Sequence, residues 1–306
     1  MKFLAMSFMT TWLDRLVEKL LHPLSDWEMR SQKSAINQSA LNASENYAPT
    51  FCNAEFAVQF EQISKLLNDA EEIVLVTGAG VSADSGIPTF RDGMTGLWNN
   101  VNPDQVASIQ GFLADPDRVW QWHAELKTLI DQKQPNDGHD AIAELERMFL
   151  GKRFTVITQN IDGYHVKVGN SRVFEIHGSI HRLRCFRHCG FLQYWEDAKS
   201  YPVKCPSCGA AVRPDVVWFG EPLNEDLFAF AEAAILNADI VFSVGTSLTV
   251  HPVARLPQMA KDSGARVVEV NPFETPFTST ADMSFRQGAG EFFSQLLRHI
   301  TNARKG

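Results

Sequence analysis

The amino-acid sequence predicts a doubly wound α/β fold, built on a mostly parallel sheet with a small metal-binding module inserted in it. Two observations carry this expectation. From about residue 56, short β-branched runs with almost no charge alternate with stretches of helical periodicity. That alternation is interrupted once, by a segment holding two pairs of cysteines. Strands buried on both faces read as continuous apolar runs, and alternating strands and helices build parallel sheets.

Ahead of this region, residues 1–50 form an N-terminal extension of a different character. Trp12, Leu13, Leu16, Val17, Leu20 and Leu21 recur at helical spacing until His22-Pro23 ends the run. Residues 31–46 (SQKSAINQSALNASEN) are small and polar, as in a linker. The opening MKFLAMSFM resembles a short signal core, but no A-x-A site follows, and Asp14, Glu18, Asp26 and Glu28 argue against a transit peptide. A helix docked on its own domain, or an unimportant extension, is the expectation here. The strands of the folded region are IVLVTG (73–78), FTVITQN (154–160), VFEIHG (173–178), DIVFSVGTS (239–247) and ARVVEVN (265–271). Helical periodicity marks residues 56–70, 137–149 and 224–237.

Composition narrows the function classes. A net charge of −8 argues against non-specific nucleic-acid binding, which needs a basic surface. No run approaches the roughly 18 to 20 apolar residues of a membrane span. Five cysteines are few for a disulfide scaffold, and four fall in tight pairs. That usage points to metal and to a reducing, cytoplasmic setting. Cys52, standing alone, reads as a structural thiol.

IVLVTG runs directly into Gly78-Ala79-Gly80-Val81-Ser82-Ala83, a G-x-G-x-x-[G/A] dinucleotide pattern just after a strand. Glycine at 78 and 80 lets backbone N–H groups approach a pyrophosphate. A hydride-transferring enzyme of this type places an acid at the end of its second strand to hold the ribose hydroxyls. Here the next buried strand lies about 75 residues on and ends in Gln159-Asn160-Ile161-Asp162. The polar, glycine-containing stretch between suggests a loop that folds over the ligand, and a nucleotide that does not carry hydride.

Cys185 and Cys189 form a C-x3-C pair, and Cys205 and Cys208 a C-x2-C pair, fifteen residues apart. Two such knuckles suit one tetrahedral zinc, with His188 as an alternative to Cys189. Four protein ligands leave no position for substrate or activated water, so the zinc is structural and supplies folding energy to a segment too small for its own core.

Four motifs then occur in order: GAGVSADSGIPTFR (78–91), TQNIDGYH (158–165), FEIHGS (174–179) and GTSLTVHP (245–252). With the cysteine module between the last two, residues 56 to about 298 resemble the sirtuin family. The resemblance implies a Rossmann-like NAD-binding domain (51–178 and 215–300) and a zinc module (179–214), with NAD and an acyl-lysine peptide meeting between them. It places Gly78, Ala79, Gly80, Phe90 and Arg91 at NAD, and Gln159, Asn160, Ile161 and Asp162 at its ribose and nicotinamide. Gly245, Thr246 and Ser247 take the phosphate-ribose side, Asn271 the adenosine ribose, and Ala289 the neighbourhood of the adenine. VVWFGE (216–221), through Val217, Phe219 and Gly220, resembles the family's peptide-binding strand, where an extended substrate adds by β-pairing. His177 and Asn160 are the implied catalytic residues.

The implied chemistry is deacylation. Departure of nicotinamide leaves a cation-like ribose carbon for the acyl oxygen to attack, largely a positioning problem. His177, an imidazole of near-neutral pKa, would deprotonate a ribose hydroxyl. The products are nicotinamide, free lysine and O-acyl-ADP-ribose. Mono-ADP-ribosyl transfer shares the first step, and a non-catalytic NAD-binding module is a third reading; intact His177, Asn160 and Asp162 favour deacylation. His139 and His165 read as helix or loop residues satisfying local hydrogen bonds.

Residues 111–130 resemble the helix of sirtuins that remove acidic acyl groups, and Thr89 is like that branch as well. Their Tyr and Arg, three residues apart, correspond to His123 and Leu126 here. Leucine cannot give a carboxylate the bidentate contact of a guanidinium. The expected preference is therefore for neutral acyl groups, with Arg118 as the residue able to restore acidic specificity.

Overall fold

The computed structural model of the chain describes residues 54–88, 102–197 and 203–305. The N-terminal extension, Cys52, Thr89, Phe90, Arg91 and most of the expected ligand-covering loop lie outside the described residues.

Helix α1 (Ala54–Asp69) lays Phe60, Ile63 and Leu67 into the main core and leads to β1 (Glu72–Thr77), buried at all six positions. Two helical turns, Ala79–Val81 and Ala83–Ser85, follow it. Short helices α2 (Pro103–Val106) and α3 (Ile109–Ala114) start at Asn102 and Ser108, whose side chains accept first-turn backbone N–H groups. Asp115 caps α4 (Pro116–Asp131) in the same way, and Asn136 caps α5 (Asp137–Met148). Next come β2 (Arg153–Thr158), the one-turn helix α6 (Tyr164–Lys167) and β3 (Val173–Glu175).

The chain then leaves the parallel sheet for β4 (Gly178–Cys185), β5 (Leu192–Tyr194) and β6 (Val212–Val216), a three-stranded antiparallel sheet ordered β5-β4-β6. It returns through α7 (Glu225–Asn237), β7 (Ile240–Val244), α8 (Leu256–Asp262), β8 (Arg266–Val270), β9 (Met283–Phe285) and α9 (Ala289–Lys305). The large sheet is ordered β3-β2-β1-β7-β8-β9, and every pairing in it is parallel. Winding runs outward both ways from the β1–β7 pair, the doubly wound arrangement that the alternating runs predict.

The expected strands overshoot at their carboxyl ends. β2 stops at Thr158, β3 at Glu175 and β7 at Val244, the register at which β1 also ends with Thr77, and the residues that follow leave the sheet as loops at its carboxyl edge. Strand β9 and helix α9 were not anticipated. β9 is only three residues long. α9 packs Phe292, Phe293, Leu296 and Ile300 into the same core as β1 and α1. No described helix is long and apolar enough to cross a membrane.

A second core joins α4 to the antiparallel sheet through Trp122, Leu126, Ile130, Tyr164, Ile180, Leu183 and Trp218. An alternating ladder of charge runs beside it. Arg182 bridges Glu175 at 2.6 Å and Asp215 at 2.9 Å, Arg184 bridges Asp215 and Glu221, and Arg213 bridges Glu221 at 2.5 Å. Arg213 is fully buried, with its guanidinium over the Trp218 ring. Burial pushes Arg213 down to about 10, while the bond to Glu221 opposes the shift. Removing one partner of a buried pair leaves the other charge uncompensated. Glu221→Ala should therefore lower the unfolding free energy by about 3–5 kcal/mol in urea titrations, and the double change Arg213→Met/Glu221→Leu should cost less. A single variant as stable as the parent chain contradicts this.

Candidate functional site

The order of the large sheet reverses between β1 and β7, and the loops leaving these strands diverge there. Open α/β sheets form their ligand crevice at such a point. Gly78 N–H donates to Val244 O at 3.1 Å, Gly80 N–H to Gly245 O at 2.8 Å and Gly245 N–H to Val270 O at 2.9 Å. The two loops are in backbone contact: a Cβ on Gly80 would fall 2.7 Å from Gly245 Cα, and one on Gly245 2.5 Å from Val81 N. Gly245 also holds φ at +58°, a conformation that side chains resist.

Around this contact gather residues expected at the nucleotide. Gln159 Nε2 donates to Thr246 Oγ1 at 2.9 Å, and Asn271 Nδ2 donates to Thr246 O at 2.8 Å. Asn271 Oδ1 also accepts Phe273 N–H, so this side chain is oriented at both ends. Ser247 Oγ pairs with Thr249 Oγ1. Ala289 opens α9, and its side chain is covered by the main core.

A buried polar network lies beneath. Asp162 Oδ2 accepts from Ser82 Oγ at 2.7 Å, and Asp162 Oδ1 accepts Tyr164 N–H at 3.0 Å. Asn160 Nδ2 donates to Ser82 Oγ at 3.0 Å. Burial raises the Asp162 carboxyl above the usual carboxylate range, and these hydrogen bonds work against it. His139 Nδ1 accepts Asn136 N–H, so its proton sits on Nε2, 3.4 Å from Ser82 Oγ. Burial, with His165 alongside, pushes His139 down to about 3; burial pushes His165 to about 4. Both are neutral struts, and His165 ties Thr77 to Asn170. Ser82 was not singled out from sequence: nothing in a glycine turn marks which hydroxyl will meet side chains 78 and 80 residues away.

His177 follows β3. Its Nδ1 lies 3.0 Å from Gln159 O. A carbonyl only accepts, so Nδ1 carries the proton and the lone pair is left on Nε2. Burial lowers the His177 pKa, and the bond to Gln159 opposes the shift. The backbone of His177 is held too, by Val217 N–H on its carbonyl at 2.9 Å. The segment Val217–Gly220 continues from there with Phe219 and Gly220 exposed, and Phe219 N–H donates to Ala107 O.

His123 and Leu126, expected at the acyl pocket, are both buried on α4. His123 Nδ1 donates to Val119 O at 2.9 Å, and its Nε2 accepts Trp218 Nε1–H at 3.1 Å. Burial pushes this imidazole down to about 4. Both nitrogens are engaged, so His123 has no hydrogen bond to spare. Arg118 is exposed at the start of α4.

The four cysteine sulfurs of the module lie within 4.8 Å of one another, two buried and two exposed. The Cys185–Cys208 and Cys189–Cys205 pairs are each 3.4 Å apart. Thiolates around one zinc at about 2.3 Å stand near 3.8 Å from each other, so this donor set fits a zinc ion.

The fold and site define a class: a doubly wound enzyme domain with a dinucleotide crevice, a histidine at its edge and a four-cysteine metal module. Residues 78–252 match the model of the Sir2 family. The chain is 43% identical over 245 residues to an NAD-dependent protein deacylase 1 of Archaeoglobus fulgidus, covering 79% of this chain and 98% of that one. Among solved structures it is similar to a Sir2 homologue–NAD complex (TM-score 0.73, 43% identity, 79% of this chain and 94% of that one). It is also similar to a Sir2 bound to a p53 peptide and NAD+ (TM-score 0.68, 32% identity, 78% and 97%). The chain belongs to the Sir2 family.

The metal reading makes a direct prediction. Elemental analysis should find one zinc per chain, and Cys205→Ser should lose it and lower Tm, since metal binding supplies folding energy. A zinc-free wild type, or a variant with unchanged Tm, contradicts the assignment.

Proposed function

We propose that this protein removes acyl groups from lysine side chains of proteins at the expense of NAD, giving nicotinamide, free lysine and O-acyl-ADP-ribose. The observation that carries the reading is the state of His177: Nδ1 pinned to Gln159 O, Nε2 bearing its lone pair, beside the crevice at the strand reversal.

Bound NAD supplies a ribose carbon that becomes electrophilic as nicotinamide departs. Gly78, Ala79, Gly80, Gly245, Thr246 and Ser247 hold its phosphates and ribose, and Asn271 its second ribose. Phe90 and Arg91 are assigned to the same site by motif alone. Asp162 and the backbone at Ile161 hold the carboxamide, and Asn160 and Gln159 line the ribose. His177 Nε2 takes a proton from a ribose hydroxyl. Val217, Phe219 and Gly220 lie on the segment that receives the substrate peptide. The four cysteines hold a structural zinc that braces residues 179–214 as a module distinct from the NAD-binding part (51–178 and 215–300).

His177→Ala should lower kcat/KM by about 10²–10⁴-fold while leaving the NAD affinity in place. The base must be neutral, and a lowered pKa keeps it neutral further into acid. The acid limb of the kcat/KM profile should accordingly lie below the ordinary histidine value of 6.5. Mass spectrometry of the products tests the reaction itself: O-acyl-ADP-ribose supports deacylation, and a peptide heavier by ADP-ribose would instead make the enzyme a transferase.

We further propose a preference for neutral acyl groups. His123 is saturated, Leu126 is apolar, and the cation electrostatically coupled to His123, Arg213, is neutralised by Glu221. Burying an acyl carboxylate there costs several kcal/mol. On one peptide, acetyl- and butyryl-lysine should both exceed succinyl-lysine in kcat/KM; succinyl above both would reverse the assignment.

A further inference from the structure

The turn that carries Asp162 is held from outside by strand β4. Ile180 N–H donates to Ile161 O at 2.9 Å, and His181 Nε2 lies 3.0 Å from Asp162 O. Because a carbonyl only accepts, Nε2 of His181 is the donor in this bond. Its Nδ1 lies 3.7 Å from Asp131 Oδ1 on α4. Gly163 adopts φ +70°, and a Cβ there would come within 3.2 Å of His181 Cδ2, so the imidazole lies against the turn. None of the motifs read from the sequence assigns His181 a role.

We propose that His181 is a positioning residue: its hydrogen bond holds the Asp162–Gly163 peptide, and with it the geometry that recognises nicotinamide. This rests on the NAD-dependent reading above. The Asp162 side chain is already fixed by Ser82 and by Tyr164 N–H. Its main chain runs into a glycine, which reaches alternative conformations at little cost. Reorienting the peptide between Asp162 and Gly163 would change the turn that brings Tyr164 N–H to the Asp162 carboxylate, and so loosen that carboxylate and the Ile161 backbone beside it. The His181 bond opposes that reorientation directly, and the Ile180 bond acts one residue earlier.

The test compares the full-length wild type with His181→Phe and His181→Gln. Phenylalanine keeps a ring against Gly163 without a donor; glutamine returns an N–H at the reach of Nε2. KM for NAD, KM for the acyl peptide, inhibition by nicotinamide and zinc content are measured on each. In His181→Phe, KM for NAD and the nicotinamide inhibition constant should both rise about fivefold, the factor of one ordinary hydrogen bond. Peptide KM and zinc content should stay as in wild type, and His181→Gln should recover most of the loss. The proposal is overturned if His181→Phe responds to nicotinamide as wild type does, if His181→Gln is as impaired as His181→Phe, or if peptide KM rises in step. A wild type that forms no O-acyl-ADP-ribose overturns the deacylase reading and this one with it. A wild type that turns over beside an indistinguishable His181→Phe overturns this one alone.

Discussion

Two loops meet backbone to backbone at the carboxyl ends of β1 and β7, and the rest of the crevice is arranged around that contact. Gly80 and Gly245 approach too closely for any side chain on either. The contact fixes the separation of the two halves of the sheet where their order reverses. It also brings Thr246 within reach of both Gln159 from β2 and Asn271 from β8. Three loops from three strands thus share one residue as their junction. A parallel sheet sends its strand ends to one edge, so residues far apart in the chain reach one crevice without long excursions.

Beneath this junction the site is buried and polar, a combination that requires its groups to be partnered. Ser82 donates to Asp162 and accepts from Asn160, and His139 stands behind it. Burial keeps His139 and His165 neutral, so they orient neighbours as dipoles without adding charge near Asp162. His177 differs in one respect that matters for chemistry. Its Nδ1 is committed, as in the buried histidines, but its Nε2 has no protein partner among the described residues.

The antiparallel sheet connects this network to the cysteine cluster through a single strand. β4 begins beside His177, passes Ile180 and His181 at the Asp162 turn and ends at Cys185. Its partner β6 leads to Val217–Gly220. The charge ladder from Glu175 to Arg213 holds the two strands together and ends under Trp218, which in turn occupies His123. The cysteine cluster, His177 and the exposed end of the Val217–Gly220 segment are therefore mechanically continuous.

The sequence by itself determined the strand and helix alternation, the glycine turn and the cysteine pairs, because each is a local pattern of residue types with a short-range physical cause; His177 is marked out by the family resemblance of FEIHGS. IVLVTG, short, β-branched and closed by a glycine, reads as a buried strand before a tight turn, and C-x3-C with C-x2-C has few uses other than a metal. Tertiary structure alone decided the partners. That Ser82 joins Asn160 to Asp162, that Trp218 takes the lone pair of His123 and that His181 holds the Asp162 carbonyl depend on contacts across 78, 95 and 19 residues. The strand ends fell short of expectation at Thr158, Glu175 and Val244 for the same reason: pairing stops on one line across the sheet, Thr77 with Thr158 and Val244 and Thr158 with Glu175, and hydrophobic period carries no record of a neighbour's end.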